Sequence, residues 1–130
     1  AGGLGFAFLS YTNAVLESGV KIILEETKLE SFIKNADFVI TGEGRLDGQT
    51  VMGKAPIGVA EIAKKYEKKV LAFGGCVAED ATLCNQHGID AFFPILRTVT
   101  TLKEAMDFNH AKENLSAAVE QVFRLIQSFK

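Results

Sequence analysis

Three short apolar runs, spaced by helix-length segments, constrain this chain more than any other feature of its sequence. Asp37-Phe-Val-Ile-Thr41 is brief, β-branched and closed by Gly42; Val70 to Phe73 follows the Lys68-Lys69 pair and stops at Gly74-Gly75; Ala91-Phe-Phe-Pro-Ile95 is the third. Apolar runs this short, bounded by Gly or Pro, read as strands buried on both faces. The segment Pro56 to about Tyr66 lies between the first two, and Pro supplies the fixed φ of a first helical turn. Between the second and third comes a short helix that Asp80 can cap and that ends near His87-Gly88. A β-α-β-α-β order requires crossover connections, which make the strands parallel and set helices on the faces of the sheet. The expected fold is an α/β domain with a small parallel sheet and flanking helices. With 130 residues, the chain has length for one such domain, residues 1–130, or for part of a larger one.

The flanks read as helical. Leu4, Ala7, Phe8, Tyr11, Ala14 and Val15 recur at three and four up to Leu16, and Phe6 and Leu9 widen the stripe until the segment is apolar over most of its circumference. A helix of that kind is expected to be covered on several sides. Val20, Ile23, Leu24 and Thr27 continue with helical spacing, and a short turn through Leu29, Phe32 and Ile33 ends near Asn35. Thr101-Leu-Lys-Glu104 has the spacing of a capping box. Beyond it, Ala111, Leu115, Ala118, Val119, Val122, Ile126 and Phe129 keep one apolar stripe on a long terminal helix. Three strands are few for a parallel sheet, whose faces and edges need cover. The start at Ala-Gly-Gly without Met points the same way, to a chain cut from something longer.

Charge and cysteine content remove whole classes of function. Fourteen Lys and Arg against sixteen Asp and Glu, with no like-charged run longer than a pair, leave no basic face for nucleic acid. Cys76 and Cys84 form no CxxC, and His87 and His110 lie outside zinc-ligand spacing, so neither a disulfide framework nor a metal knuckle is expected. The apolar start lacks the charged region of a signal peptide, and no apolar stretch approaches the length of a membrane span. A reducing, cytoplasmic setting is the expectation, with no membrane partner.

Ligands of open parallel sheets bind beyond the carboxyl ends of the strands. Gly42-Glu43-Gly44-Arg45-Leu46-Asp47-Gly48-Gln49-Thr50 is expected there, as a loop. Gly42 and Gly44 let the backbone approach a ligand, Glu43 and Asp47 can hold Mg²⁺ or accept a proton, and Arg45 matches carboxylate or phosphate oxygens. The set suits phosphoryl transfer, in which catalysis is mostly positioning and charge neutralisation. The competing reading is a solvated turn whose Glu, Arg and Asp pair with one another.

Gly48-Gln-Thr-Val-Met-Gly53-Lys54-Ala55 matches the P-loop glycines and lysine, but Ala55 stands where the magnesium-binding hydroxyl belongs, and several residues separate the motif from its strand. A P-loop fold is therefore not expected. Lys54, just before a Pro-started helix, remains a phosphate or carboxylate contact or else a plain surface lysine. Gly2 and Gly3 either present backbone N–H groups or only permit close packing. Gly74-Gly75, expected on the same side as Glu43, is a candidate for close backbone approach to a ligand or else a plain turn. Cys76 is expected to be a small buried hydrophobe, and neither histidine is assigned to catalysis.

The run Val39-Ile-Thr-Gly-Glu-Gly-Arg-Leu-Asp-Gly-Gln-Thr50, followed by Gly53-Lys-Ala-Pro-Ile-Gly-Val-Ala60, resembles the bacterial, ATP-dependent glycerate kinase family. Ala1-Gly-Gly-Leu-Gly5, Ser18-Gly-Val, Asn35-Ala-Asp37 and His87-Gly-Ile-Asp90 extend the resemblance over nearly the whole chain. It implies transfer of the γ-phosphoryl group of ATP, with Mg²⁺, to a hydroxyl of D-glycerate, most often giving 2-phosphoglycerate. The family's members are longer, with two α/β lobes around a cleft, and this chain resembles their C-terminal part. A missing N-terminal lobe is thus an implied partner, and the chain alone is expected to lack turnover.

By the same resemblance Glu43 and Asp47 hold metal or accept a proton, and Arg45 orients the substrate carboxylate or stabilises the transferred phosphoryl group. Gln49, Thr50 and Lys54 are polar contacts, as are the backbones of Gly42, Gly44, Gly2 and Gly3. Apolar surface left by the absent lobe would drive homo-oligomerisation or aggregation. The alternative from another class is a non-catalytic module that binds an anion or nucleotide. A Rossmann dehydrogenase is disfavoured, because no Gly-x-Gly-x-x-Gly links a strand to a helix.

Overall fold

The computed structural model describes residues 2–15 and 17–129; Ala1 and Leu16, read above as part of a glycine-rich start and as a helix end, lie outside the described residues. Strands β1 (Phe38–Leu46), β2 (Lys69–Val77) and β3 (Ala91–Pro94) run parallel and lie side by side in that order. This is the α/β arrangement that the alternating runs demanded. The helices are α1 (Gly2–Tyr11), α2 (Gly19–Glu26), α3 (Leu29–Ile33), α4 (Ala55–Lys65), α5 (Leu83–Gln86), α6 (Leu102–Ala105) and α7 (Phe108–Ser128), with 3₁₀ turns at Thr50–Met52 and Glu79–Thr82.

The sheet separates two apolar layers. On one side Ile57, Ala60 and Ala63 of α4 pack with Val39, Leu46, Val70 and Ala72, together with Ile33, Ala81, Cys84 and Ile89. On the other, Val122 of α7, flanked by Ala118, Val119 and Ile126, closes over Leu71 and Phe73. Val70 and Ala72 therefore face α4 while Leu71 and Phe73 face α7. Burial on both faces is why β2 reads as an unbroken apolar run rather than an alternating one.

Both leading strands outrun the sequence expectation. The glycines read as strand stops lie inside the ladder: Glu43 pairs with Gly74 and Arg45 with Cys76. A Cβ on Gly42 would collide with the Phe73 carbonyl oxygen, and one on Gly75 would sit 2.7 Å from the Gly44 oxygen. Glycine here lets two backbones come together rather than ending a strand. The true turn begins only at Asp47, so Glu43 and Arg45 stand on β1 and not on a loop.

Other departures are local. In α1 the helix ends at Tyr11, because the Thr12 hydroxyl donates to the Phe8 carbonyl and accepts the Ala14 N–H, a side-chain alternative to further helical bonds. The apolar cover expected for α1 is not provided by the described residues, and Leu4, Phe6, Leu9 and Tyr11 are all exposed. The Thr101–Glu104 capping box forms but serves only the single turn of α6. The long α7 starts afresh at Asp107, whose carboxylate accepts the N–H groups of Asn109 and His110. Ala78, not Asp80, precedes the 3₁₀ turn after β2.

Candidate functional site

Leu46 is fully buried and ends β1, and its carbonyl accepts the Ala78 N–H at 2.9 Å, which pins the strand end to the segment after β2. The chain then turns on Asp47. One carboxylate oxygen accepts the Gln49 N–H at 3.0 Å, and the Asp47 carbonyl accepts the Thr50 N–H at 2.9 Å, an Asx turn. Gly53, at φ +90°, takes a left-handed conformation that glycine adopts at no steric cost. Lys54 follows as the residue capping α4.

This path folds Lys54 back over the turn. Its Nζ lies 3.5 Å from Asp47 Oδ1 and 3.8 Å from Glu43 Oε1, while Arg45 Nε lies 3.2 Å from Asp47 Oδ2. Four charged side chains from β1, the turn and the start of α4 thus meet at the carboxyl end of the sheet. The carboxylates sit inside, at 20% and 17% exposure, and Lys54 and Arg45 outside, at 39% and 62%. Such partly exposed pairs, screened by solvent, contribute little to stability, so their significance is placement. Burial pushes the Asp47 carboxyl upward, but Lys54, the Gln49 N–H and Arg45 together outweigh it and hold the group below its ordinary value. Asp47 is thus held in its charged form at neutral pH.

Thr50, expected as a polar contact, lies beneath the cluster: among the described residues it is the one polar residue in the buried set, with no exposed surface. Its hydroxyl donates to Glu43 Oε1 and accepts the Asp47 N–H at 3.2 Å. Gly42 is exposed on β1, and its missing Cβ is explained by the Phe73 carbonyl; Gly44 faces open space and Gln49 is exposed. Gly2 and Gly3 belong to α1, and among the described residues no hydrogen bond or ion pair joins α1 to the cluster. Gly48 to Ala55 forms a 3₁₀ turn and a left-handed glycine, with the Lys54 ammonium engaged by carboxylates, so the P-loop template is not realised. Gly74 and Gly75 do lie beside Glu43, but as ladder residues.

Cys76 is also corrected: it is exposed, at the far end of β2. Cys84 is the buried thiol, and burial followed by the Glu43, Asp47 and Asp80 carboxylates raises its pKa. It is a neutral packing group beneath the Asp47 turn, its Sγ 4.0 Å from the Asp47 carbonyl oxygen. Sequence reasoning missed Asp80 as a neighbour of the site. Its carboxylate oxygen lies 2.5 Å from where a Cβ on Gly48 would be, a proximity set by the β1–β2 register, and a helix-cap reading of Asp80 gave no sign of it. A groove of about 720 Å³ between α2, α3 and α4, lined by Val20, Leu24, Ile57 and Ile62, adjoins the cluster at Gly53 but is not lined by its charged groups.

Comparison with known proteins bears on this geometry. A family model described as the glycerate kinase family matches residues 1–127. The glycerate kinase of Bacillus subtilis is 44% identical over 130 residues, covering 100% of this chain and 34% of the relative. The glycerate 2-kinase of Escherichia coli is 43% identical over 122 residues, covering 94% and 32%. A crystal structure assigned provisionally to glycerate kinase 2 of Salmonella typhimurium LT2 superposes with a TM-score of 0.70 at 38% identity, over 98% of this chain and 31% of that one. The chain spans about a third of the length of the curated relatives it matches.

Proposed function

Since the chain belongs to the glycerate kinase family, we propose that it forms part of a kinase that transfers the γ-phosphoryl group of ATP, with Mg²⁺, to a hydroxyl of D-glycerate, yielding 2-phosphoglycerate. The observation that carries this reading is the convergence of Glu43, Arg45, Asp47 and Lys54 at the carboxyl end of β1. That inventory serves phosphoryl transfer, where fixed charges and orientation do most of the work.

Two carboxylates and two cations cancel, so the cluster alone attracts neither ATP nor glycerate strongly, and a dication would tip the balance. The donor set fits Mg²⁺. Glu43 and Asp47 already share one cation, the Lys54 ammonium, and a pair of carboxylates, rather than a full protein cage, is the usual provision for Mg²⁺ carried with phosphates. When bound, the ion supplies neutralisation of phosphate charge, and Glu43 and Asp47 are the residues that would hold it. Arg45 spends its Nε on Asp47 and keeps the rest of its fork of N–H donors for a substrate carboxylate or phosphoryl oxygen. Lys54, half-exposed beside both carboxylates, would be within reach of a phosphate oxygen brought to this end of the sheet.

In this reading the remaining two thirds of the kinase supply an opposing lobe, and the reaction is cytoplasmic, with glycerate and ATP as its soluble partners. Among the described residues no helix is long and apolar enough to cross a membrane. In the complete kinase, Asp47→Asn lowers kcat about 10²–10³-fold while circular dichroism stays unchanged; near-normal turnover removes Asp47 from the machinery. For the 130-residue chain, calorimetry with Mg²⁺-ATP and D-glycerate, run beside an ADP-release assay, is expected to show binding without release. Release of ADP would show that the absent lobe is dispensable, and absence of binding to either ligand would overturn the reading.

A further inference from the structure

Thr50 is placed as no ligand contact can be. It has no exposed surface, and its one hydroxyl hydrogen is given to Glu43 Oε1 while its oxygen accepts the Asp47 N–H at 3.2 Å. The next nearest acceptor, Asp47 Oδ1, stands 3.5 Å away. One side chain thus joins the strand residue Glu43 to the turn residue Asp47. Its own backbone closes the same turn, through the Thr50 N–H on the Asp47 carbonyl and the Thr50 carbonyl accepting the Lys54 N–H at 3.3 Å. Every charged residue of the cluster except Arg45 is therefore tied directly to Thr50, Glu43 through its carboxylate and Asp47 and Lys54 through their backbones.

We propose that Thr50 is a positioning residue of this site: its buried hydroxyl sets the separation of the Glu43 and Asp47 carboxylates, and so the affinity for a cation-bound nucleotide, without touching the ligand. The physical reason is that two like charges on different elements repel, and a hydroxyl bonded to the Glu43 carboxylate and to the backbone N–H of Asp47 fixes the spacing of the two residues without adding charge. Hydrogen-bonded partners of this kind behind charged ligating groups typically govern affinity about 10- to 100-fold.

This inference rests on the kinase reading, and its test separates the two. In the 130-residue chain, Thr50→Val keeps the shape and removes the hydroxyl, and Thr50→Ser restores it; Thr50→Ala replaces the valine variant if that one does not fold. Two quantities are read: amide hydrogen exchange at Asp47, and the dissociation constant for Mg²⁺-ATP by calorimetry. Thr50→Val is expected to speed exchange at Asp47 and to weaken Mg²⁺-ATP binding about 10- to 100-fold, with Thr50→Ser returning both toward the parent values. Unchanged affinity in Thr50→Val overturns the proposal, as does equal weakening in the serine variant. If the parent chain binds neither Mg²⁺-ATP nor D-glycerate, the kinase reading fails by itself. Exchange then decides on Thr50: protection lost with Val and regained with Ser supports the positioning role, and unaltered protection ends it.

Discussion

Asp90 stands at the entry to β2, where its carboxylate accepts the Val70 N–H at 2.7 Å and pairs with Lys64 and Lys69. Burial raises its pKa, but the Lys64 hydrogen bond, the Val70 N–H and the two ammonium charges lower it further, and the net shift is downward from 3.8. A carboxyl whose folded pKa is depressed contributes stability above its unfolded pKa and loses it as pH falls through the folded value. Asp47 shifts in the same direction. Urea denaturation is therefore expected to give a lower unfolding free energy at pH 3 than at pH 7. The difference between parent and Asp90→Asn should shrink over the same interval; a gap that widens in acid would contradict the assignment. At this scale the identity of the charged site residues was legible in the sequence, because Glu43, Arg45, Asp47 and Lys54 crowd into twelve positions. The burial of Thr50 and the exposure of Cys76 were not, since both depend on where β1 and β2 stop.

Elements depart from expectation mainly at their ends. Glycine after an apolar run signals a turn by composition, but the same residue serves wherever two strands need to approach closely, and only the register of β1 against β2 tells these apart. Gly42→Ala tests the point. The added methyl meets the Phe73 carbonyl, a backbone atom that cannot swing aside, and overpacking of this kind costs about 1–3 kcal/mol. Gly44→Ala, with open space at the same Cβ position, is expected to be much milder in the same thermal melt. Equal losses at the two positions would mean that strand propensity, not close approach, selects glycine. The helices behaved better, because periodicity over ten or more residues averages out single ambiguities, and α4 and α7 follow their apolar stripes. Even there a boundary moved: Asp107 divides the expected terminal helix from α6, since its carboxylate satisfies the free N–H groups of a fresh helix start.

For the molecule as a whole, β2 is covered on both faces, whereas Ile40 of β1 is exposed and α1 is left uncovered by the described residues, with Phe6 72% and Tyr11 85% exposed. Contiguous apolar surface in water binds hydrophobic dyes and promotes association. The 130-residue chain should bind such a dye, and Phe6→Gln with Leu9→Gln should cut the fluorescence severalfold at unchanged sheet content; no change would place the accessible apolar surface elsewhere. In a chain about a third as long as its relatives, such a helix accords with the proposed missing lobe. What the sequence by itself determined is the order and kind of the elements, because hydrophobic period and turn chemistry act over a few residues. It also determined which charges lie within reach of one another. Tertiary structure alone decided how far each strand runs, which face of β2 meets which helix, and that a buried hydroxyl ties the Glu43 carboxylate to the backbone of Asp47. Those outcomes depend on register between segments some thirty residues apart, and no local pattern encodes the pairing of backbones that sets it.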